Sequence, residues 1–232
     1  MDAFIITCEH GGNQIPAPYR ELFRGQRELL DSHRGYDPGA LVMARALARA
    51  CRAPLVASTI SRLLIDLNRS IGHRQLFSAM TRSAPPETRE QIIERHYRPY
   101  REQVERAVTQ AVSRGHRVVH ISSHSFTDEL FGKVRAADVG LLYDPARRGE
   151  VEMCVRWKES LGASAPELRV RRNYPYAGKG DGLTSYLRRH FAQSDYVGIE
   201  LEINQRIASM RYQDWTAVRR TLIDSLHTAS AA

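Results

Sequence analysis

The sequence predicts an α/β fold, in which one domain has three layers, α/β/α, around a mainly parallel mixed sheet. Short runs rich in β-branched residues alternate with helix-length amphipathic segments along the whole chain. Such alternation is typical of parallel strands covered by helices on both faces. The 232 residues contain no repeat and no linker-like segment, so we expect a single domain over residues 1–232.

The first predicted strand, residues 4–6, is a short apolar run that leads into Cys8, Glu9 and His10. Two glycines follow and allow a tight turn. In open α/β sheets, ligands bind beyond the carboxyl ends of the strands. His10 therefore lies where a histidine could bind a metal ion or a proton in a functional site.

The next third of the chain is predicted to alternate loops, helices and strands. Pro16 and Pro18 precede a short polar helix over 19–29. Asp37 has the position of an N-cap with Pro38 at N1, which predicts a helix over 39–51. Strands are then expected at 55–60 and 63–69, a flexible polar loop at 71–86, and a long amphipathic helix at 87–114 that Pro99 kinks or divides.

The remainder continues the same alternation. A β-branched strand over 117–125 delivers His124 at its carboxyl end, and a strand over 196–204 delivers Glu200 and Glu202. Between and after them we expect strands at 137–143 and 168–171, a long loop at 172–182, and helices at 151–161, 183–191 and 215–228.

The amino-acid composition argues against a nucleic-acid-binding protein and against a membrane protein. The net charge of +8 comes mostly from arginine, and the aromatic residues do not interleave with the basic ones as they do on a nucleic-acid surface. We therefore expect no nucleic-acid partner; an electropositive cleft for small carboxylate substrates also fits. The three cysteines form no CxxC pair, and there is no signal segment or membrane-length apolar run. The prediction is a cytoplasmic protein without a membrane partner.

Two strand-end histidines, His10 and His124, point to a metal site. Hydrolytic zinc takes three protein ligands, usually His or carboxylate, and leaves one position for water. Asp37 is our choice as third ligand, with helix capping as its alternative role; Asn13 and Glu9 remain alternatives. His33, four residues before Asp37, could orient a ligand.

The remaining candidates are charged. Glu200 and Glu202 lie two apart on a strand and so share a face, where one of them could serve as general base; solvated glutamates on an edge strand are the alternative. Arg69, and Arg172 with Asn173, could hold a substrate carboxylate through the planar guanidinium fork.

Five segments in order together resemble the motif set of the N-formylglutamate amidohydrolase family. They are Cys8-Glu9-His10-Gly11-Gly12-Asn13-Gln14-Ile15-Pro16, Asp66-Leu67-Asn68-Arg69-Ser70, His124-Ser125-Phe126, Asn173-Tyr174-Pro175-Tyr176-Ala177-Gly178 and Gly198-Ile199-Glu200-Leu201-Glu202-Ile203-Asn204. The resemblance implies a phosphorylase/hydrolase-like α/β fold, a zinc ion, and hydrolysis of N-formyl-L-glutamate to formate and glutamate, as in one histidine degradation route.

The same resemblance implies roles for particular residues. His10 and His124 match metal-binding positions, Asp37 is similar to the acidic ligand before a helix in zinc peptidoglycan amidases, and Glu202 matches the family's carboxylate. Arg69 and the pair Arg172 and Asn173 resemble the carboxylate-binding groups of zinc carboxypeptidases. From the same motifs we assign Tyr176 and Asn68 to substrate binding.

The chain departs from the enzymes of histidine breakdown at Glu200, where a Gln-like residue is expected, and in the loop 172–182. Another N-acyl amino acid or a short peptide is therefore an alternative substrate. A non-catalytic anion-binding protein on the same fold is the alternative from a different class. The sequence leaves the oligomeric state open.

Overall fold

The computed structural model describes residues 2–231, and in them six strands form one mixed sheet. Their order across the sheet is β2 (Leu55–Ala57), β1 (Asp2–Cys8), β3 (Arg117–Phe126), β8 (Tyr196–Asn204), β6 (Val139–Leu142) and β7 (Val170–Arg172). The strands β2, β1, β3 and β8 are parallel, whereas β6 runs antiparallel to β8, and β7 is parallel to β6. The predicted mainly parallel mixed sheet is confirmed.

The register of the central strands brings the candidate residues to one edge. His124 of β3 lies beside Glu202 of β8, and Ser122 lies beside Glu200. Thr7, near the end of β1, pairs with Ser122 from the other side. Because these strands are parallel, their carboxyl ends meet at the same edge of the sheet.

Helices cover both faces of the sheet and form two hydrophobic cores. One core packs α2 (Ala40–Ala50), α6 (Arg148–Ser164) and α9 (Tyr212–Ala231) against the sheet, with Trp157 fully buried. The other packs α5 (Arg98–Ser113), α7 (Leu183–His190) and a 3₁₀ helix (Ala17–Phe23) against the opposite face. The predicted three layers are therefore present.

The shorter elements complete the chain. They are α1 (Arg27–Asp31), α3 (Ala79–Arg82), α4 (Pro86–Ile92), α8 (Gln205–Ala208) and a hairpin of β4 (Glu129–Leu130) and β5 (Lys133–Val134) that the sequence did not predict. The helix expected over 87–114 is divided as anticipated near Pro99. A π-helical turn, Ile93–Tyr97, separates α4 from α5, and the proline lies in the first turn of α5.

Several local expectations were wrong. The segment 63–69 is not a strand but a series of turns, in which the Asp66 side chain accepts a hydrogen bond from the Asn68 amide 3.0 Å away. The strand expected at 55–60 ends at Ala57, and the loop expected over 71–86 contains α3. The apolar residues of 63–69 are nevertheless buried.

Asp37 is not the cap of α2. The N-cap is Gly39, which has a φ of 83° and leaves only 2.4 Å between an added Cβ and the Ala208 Cβ. The Asp37 side chain is thereby free to turn towards the end of the sheet. Among the described residues, no helix has the length and hydropathy that a membrane crossing requires.

Candidate metal centre and active site

Asp37, His10 and His124 meet at the carboxyl edge of the sheet. One carboxylate oxygen of Asp37, Oδ2, lies 3.3 Å from Nδ1 of His10 and 2.9 Å from Nδ1 of His124. The two imidazole centroids are 5.1 Å apart. All three residues are at least nine-tenths buried, and the three can each offer one ligand atom within 4.8 Å of the others. This group could hold a metal ion.

The chain places these residues through backbone contacts. His10 lies two residues after the end of β1, and its carbonyl accepts a hydrogen bond from the Asp37 amide at 2.9 Å, which fixes the loop before α2. Gly11 and Gly12 pass close to the segment after β2. An added Cβ on Gly12 would lie 2.6 Å from the Thr59 carbonyl oxygen, so only glycine allows this approach.

The second nitrogen of each imidazole is also held. Nε2 of His10 lies 2.7 Å from Asp66 Oδ1, while Nε2 of His124 lies 3.0 Å from Glu9 Oε2 and 2.9 Å from Ser122 Oγ. Carboxylates in this position orient metal-binding imidazoles and raise their basicity. Both Nδ1 atoms are therefore directed at Asp37.

Glu9 is fixed at the base of the site. It is fully buried and accepts hydrogen bonds from the Tyr100 hydroxyl at 2.8 Å and the Ser122 hydroxyl at 2.6 Å. Burial alone would raise its pKa, but the hydrogen bond and charge of His124 outweigh it and hold that pKa well below the usual range. Glu9 is thus a permanent anion behind His124.

Arg62 links the two carboxylates on the other side. Its guanidinium donates to Asp37 Oδ1 at 3.2 Å and to Asp66 Oδ2 at 2.8 Å. Burial opposes ionisation of Asp66, yet the charges of Arg62 and His10 hold its pKa well below the usual range. One oxygen of Asp37 is thereby anchored, and the other faces the histidines.

The electrostatic field of the site favours cations. Burial lowers the pKa of His124, but its bonds to Asp37 and Glu9 outweigh this and place that pKa well above the ordinary value. Burial and the charge of Arg62 lower the pKa of His10. The charges of Asp66 and Asp37 outweigh these two effects, so the pKa of His10 is raised above its ordinary value. A field that favours a proton on these rings also favours a metal cation, which competes for the same nitrogens.

Glu202 is a buried carboxylate in the same cavity as His10, Asp37 and His124. It is 5% exposed, and its Oε2 atom has no hydrogen-bond partner among the described residues. Burial, together with the charges of Asp37 and Glu200, raises its pKa to about 7. A carboxylate tuned in this way can both accept and return a proton at neutral pH.

A cavity of about 980 Å³ opens over this group, and its lining includes His10, Asp37, His124 and Glu202. Asn68, Arg69, Tyr176 and Glu200 also line it. Arg69 keeps a buried Nε without a partner, although the same guanidinium bonds the Asp181 carbonyl. The Tyr176 hydroxyl, on a half-exposed side chain, accepts a hydrogen bond from Arg135 at 3.0 Å.

Four sequence candidates are not brought into the group. Arg172 is exposed at the end of β7, outside the cavity lining. Asn173, which has a φ of 50°, accepts hydrogen bonds from the Tyr143 and Gly178 amides, so it shapes the loop instead. Asn13 donates to Asp31 at 2.7 Å, and His33 is an exposed residue of the cavity rim.

Sequence reasoning missed the roles of Arg62 and Asp66 and gave Glu9 only as an alternative ligand. Asp66 stood in one of the family motifs, which was the available signal. Arg62 carries no such signal, because one arginine among many is not distinguished by its neighbours in the sequence.

The profile of the family described as N-formylglutamate amidohydrolase matches residues 2–208. A search of curated proteins found no match.

Two solved structures are similar to the chain. The gene product Atu2144 from Agrobacterium tumefaciens is 26% identical, with a TM-score of 0.85 over 98% of this chain and 90% of that one. The N-formylglutamate amidohydrolase from Ralstonia eutropha JMP134 is 21% identical, with a TM-score of 0.70 over 100% of this chain and 94% of that one, a likeness that concerns the fold. Since the family profile spans nearly the whole chain, this protein belongs to the N-formylglutamate amidohydrolase family, whose members hydrolyse amide bonds.

Proposed function

We propose that the protein is a zinc-dependent amidohydrolase that cleaves the N-formyl, or another N-acyl, amide of glutamate or a related amino acid. The observation that carries the proposal is the approach of both Nδ1 atoms, of His10 and His124, to one oxygen of Asp37. With N-formyl-L-glutamate the products are formate and glutamate, the last step of one histidine degradation route.

The donor set fits zinc. Two imidazoles and one carboxylate are the ligands of many catalytic zinc sites, which keep a further position for water or substrate. The carboxylates Asp66 and Glu9 behind the imidazoles match the second layer that such sites use. When bound, the ion would acidify water and polarise the substrate carbonyl.

The protein side chains carry the remaining steps. Glu202 takes the proton from the attacking water on its unpartnered Oε2 and returns it to the leaving amine. Arg69 turns its free Nε towards negative charge on the substrate, either the developing oxyanion or a carboxylate. Asn68 and Tyr176 line the cavity and position the substrate.

A cytoplasmic location is part of the proposal. Cys8, Cys51 and Cys154 are all unpaired, as is usual where thiols are kept reduced. For partners we propose only the small-molecule substrate.

The test is release of formate from N-formyl-L-glutamate, and of acetate from N-acetyl-L-glutamate, by purified protein that has been chelated and then reloaded with zinc. We expect activity only after reloading. His124→Ala should abolish it, while His33→Ala, which alters a rim histidine of the same cavity, should retain most of it. Full activity of zinc-free protein, or of His124→Ala, would refute the proposal.

A further inference from the structure

Glu200 lies in the cavity wall beside the metal-binding group and has no role in the proposed proton transfer. Building on the proposed function, we propose that Glu200 is a specificity residue that binds a positively charged group on the side chain of the N-acyl amino acid. N-formyl-L-glutamate is then still hydrolysed, but N-acyl derivatives of cationic amino acids are hydrolysed with a higher kcat/KM.

The Glu200 carboxylate is held in place from one side only. Its Oε1 accepts a hydrogen bond from the Thr184 hydroxyl at 2.8 Å in the first turn of α7. The preceding Gly182 packs between that oxygen and Asn68 Oδ1, since an added Cβ would lie 3.2 Å from the first and 3.1 Å from the second. The carboxylate is therefore fixed in orientation, next to the proposed binding residue Asn68.

The charge of Glu200 has no cationic partner within ion-pair distance among the described residues. The nearby buried Arg188 is engaged elsewhere, because it donates to Glu150 at 2.9 Å and to the carbonyls of Gly178 and Gly198. A cationic group of the substrate could therefore form an ion pair with this carboxylate.

The neighbouring Glu202 makes the same wall more negative. It is 5% exposed, its Oε2 is unpartnered, and it points to the same face of β8. A substrate carboxylate placed here would meet two glutamates, and like charges at close range oppose binding. N-formylglutamate, with two carboxylates, suits this wall poorly.

The same cavity also supplies positive charge. Arg34 and Arg74 line it, and neither guanidinium has an acidic partner among residues 2–231. Together with Arg69 they can receive the α-carboxylate of the substrate. The cavity thus offers guanidinium groups without acidic partners as well as the carboxylate of Glu200, a combination that fits a molecule carrying both a carboxylate and a cation.

The experiment compares kcat/KM for N-formyl-L-lysine, N-formyl-L-norleucine and N-formyl-L-glutamate in zinc-loaded wild type and Glu200→Gln. Wild type should favour the lysine over the norleucine derivative by about ten- to a hundredfold, the range expected of a charged hydrogen bond. Glu200→Gln should remove that preference and raise kcat/KM for N-formyl-L-glutamate. Glutamine retains an oxygen for the Thr184 hydroxyl, so the fold is preserved.

Glu159→Gln is the matched control, since Glu159 is exposed on α6 outside the cavity and its loss changes the net charge equally. It should leave all three ratios unchanged. If Glu200→Gln lowers kcat/KM for all three substrates equally, the residue only supports α7 and the inference is wrong, while the amidohydrolase proposal stands. If wild type prefers N-formyl-L-glutamate, the inference is likewise wrong and the amidohydrolase proposal stands. If wild type releases formate from none of the three, the inference is wrong, and if it also releases no acetate from N-acetyl-L-glutamate, the amidohydrolase proposal fails with it.

Discussion

Replacing Glu202 with glutamine should remove activity and at the same time stabilise the zinc-free protein. The reason is the burial of this carboxylate, which together with Asp37 and Glu200 raises its pKa from 4.5 to about 7. At about 1.4 kcal/mol for each pKa unit, the ionised form costs the folded state about 3 kcal/mol relative to the unfolded chain above pH 7.

The sign of the pH dependence follows from the raised pKa. At pH 4.5 the carboxyl is protonated in the folded state and half protonated in the unfolded chain, so Glu202→Gln and wild type should differ little in the free energy of unfolding. As the pH rises from 4.5 through 7, wild type loses stability that the variant keeps. Urea unfolding in the presence of a chelator, at pH 4.5 and pH 8, measures the difference.

Glu202→Gln should also lower the activity, because glutamine cannot accept a proton from the attacking water. A general base typically contributes about 10²–10⁴-fold, so kcat of zinc-loaded Glu202→Gln should fall by that factor. In wild type, kcat/KM should rise with pH to a plateau, with a midpoint no higher than about 7, since a bound cation lowers the pKa of Glu202. If the variant keeps its activity, or is less stable than wild type at pH 8, the assignment of Glu202 as a buried base is wrong.

Two further predictions concern stability. His120 is buried and forms hydrogen bonds with Thr7 and Tyr196. Because burial lowers its pKa to about 4, the free energy of unfolding should fall by about 3 kcal/mol as the pH falls from 6.5 to 4. His120→Gln should lack this loss in the same urea titration; an unchanged pH profile would contradict it. Gly178→Ala would place a Cβ 2.1 Å from the Tyr143 amide nitrogen and should lower the unfolding free energy by about 1–3 kcal/mol. Gly162→Ala, in α6 with no neighbour within 4 Å of the added Cβ, should raise it by about 0.5–1 kcal/mol. If both glycine variants shift the melting temperature in the same direction, the packing described around Gly178 is wrong.

Much of the site could be predicted because parallel strands deliver their ends to one edge. His10 and His124 follow or end strands with clear β-branched patterns, and their convergence needs only that β1 and β3 be parallel neighbours. Glu202 follows from its register beside His124. These relations are local in the sequence or are fixed by the sheet.

The other parts of the site depend on contacts between distant residues, which the local sequence pattern does not predict. Residues 63–69 have the apolar content of a buried strand, yet they are buried as turns, which bring Asp66 to His10 and to the guanidinium of Arg62. Asn173 was expected to face the substrate, but its left-handed backbone turns its amide oxygen to the Tyr143 and Gly178 amides. The path of a long loop is set by such distant partners and cannot be read from its composition.

The most direct test of the account is the metal content of purified protein and of its ligand variants. We expect one zinc ion per chain by elemental analysis, with an X-ray absorption spectrum of nitrogen and oxygen ligands and no sulfur. His10→Ala, Asp37→Ala and His124→Ala should each lose the ion while remaining folded by circular dichroism, and His33→Ala should keep it. Zinc retained at full stoichiometry by all three ligand variants, or sulfur in the spectrum, would contradict the assignment of His10, Asp37 and His124 as the metal site.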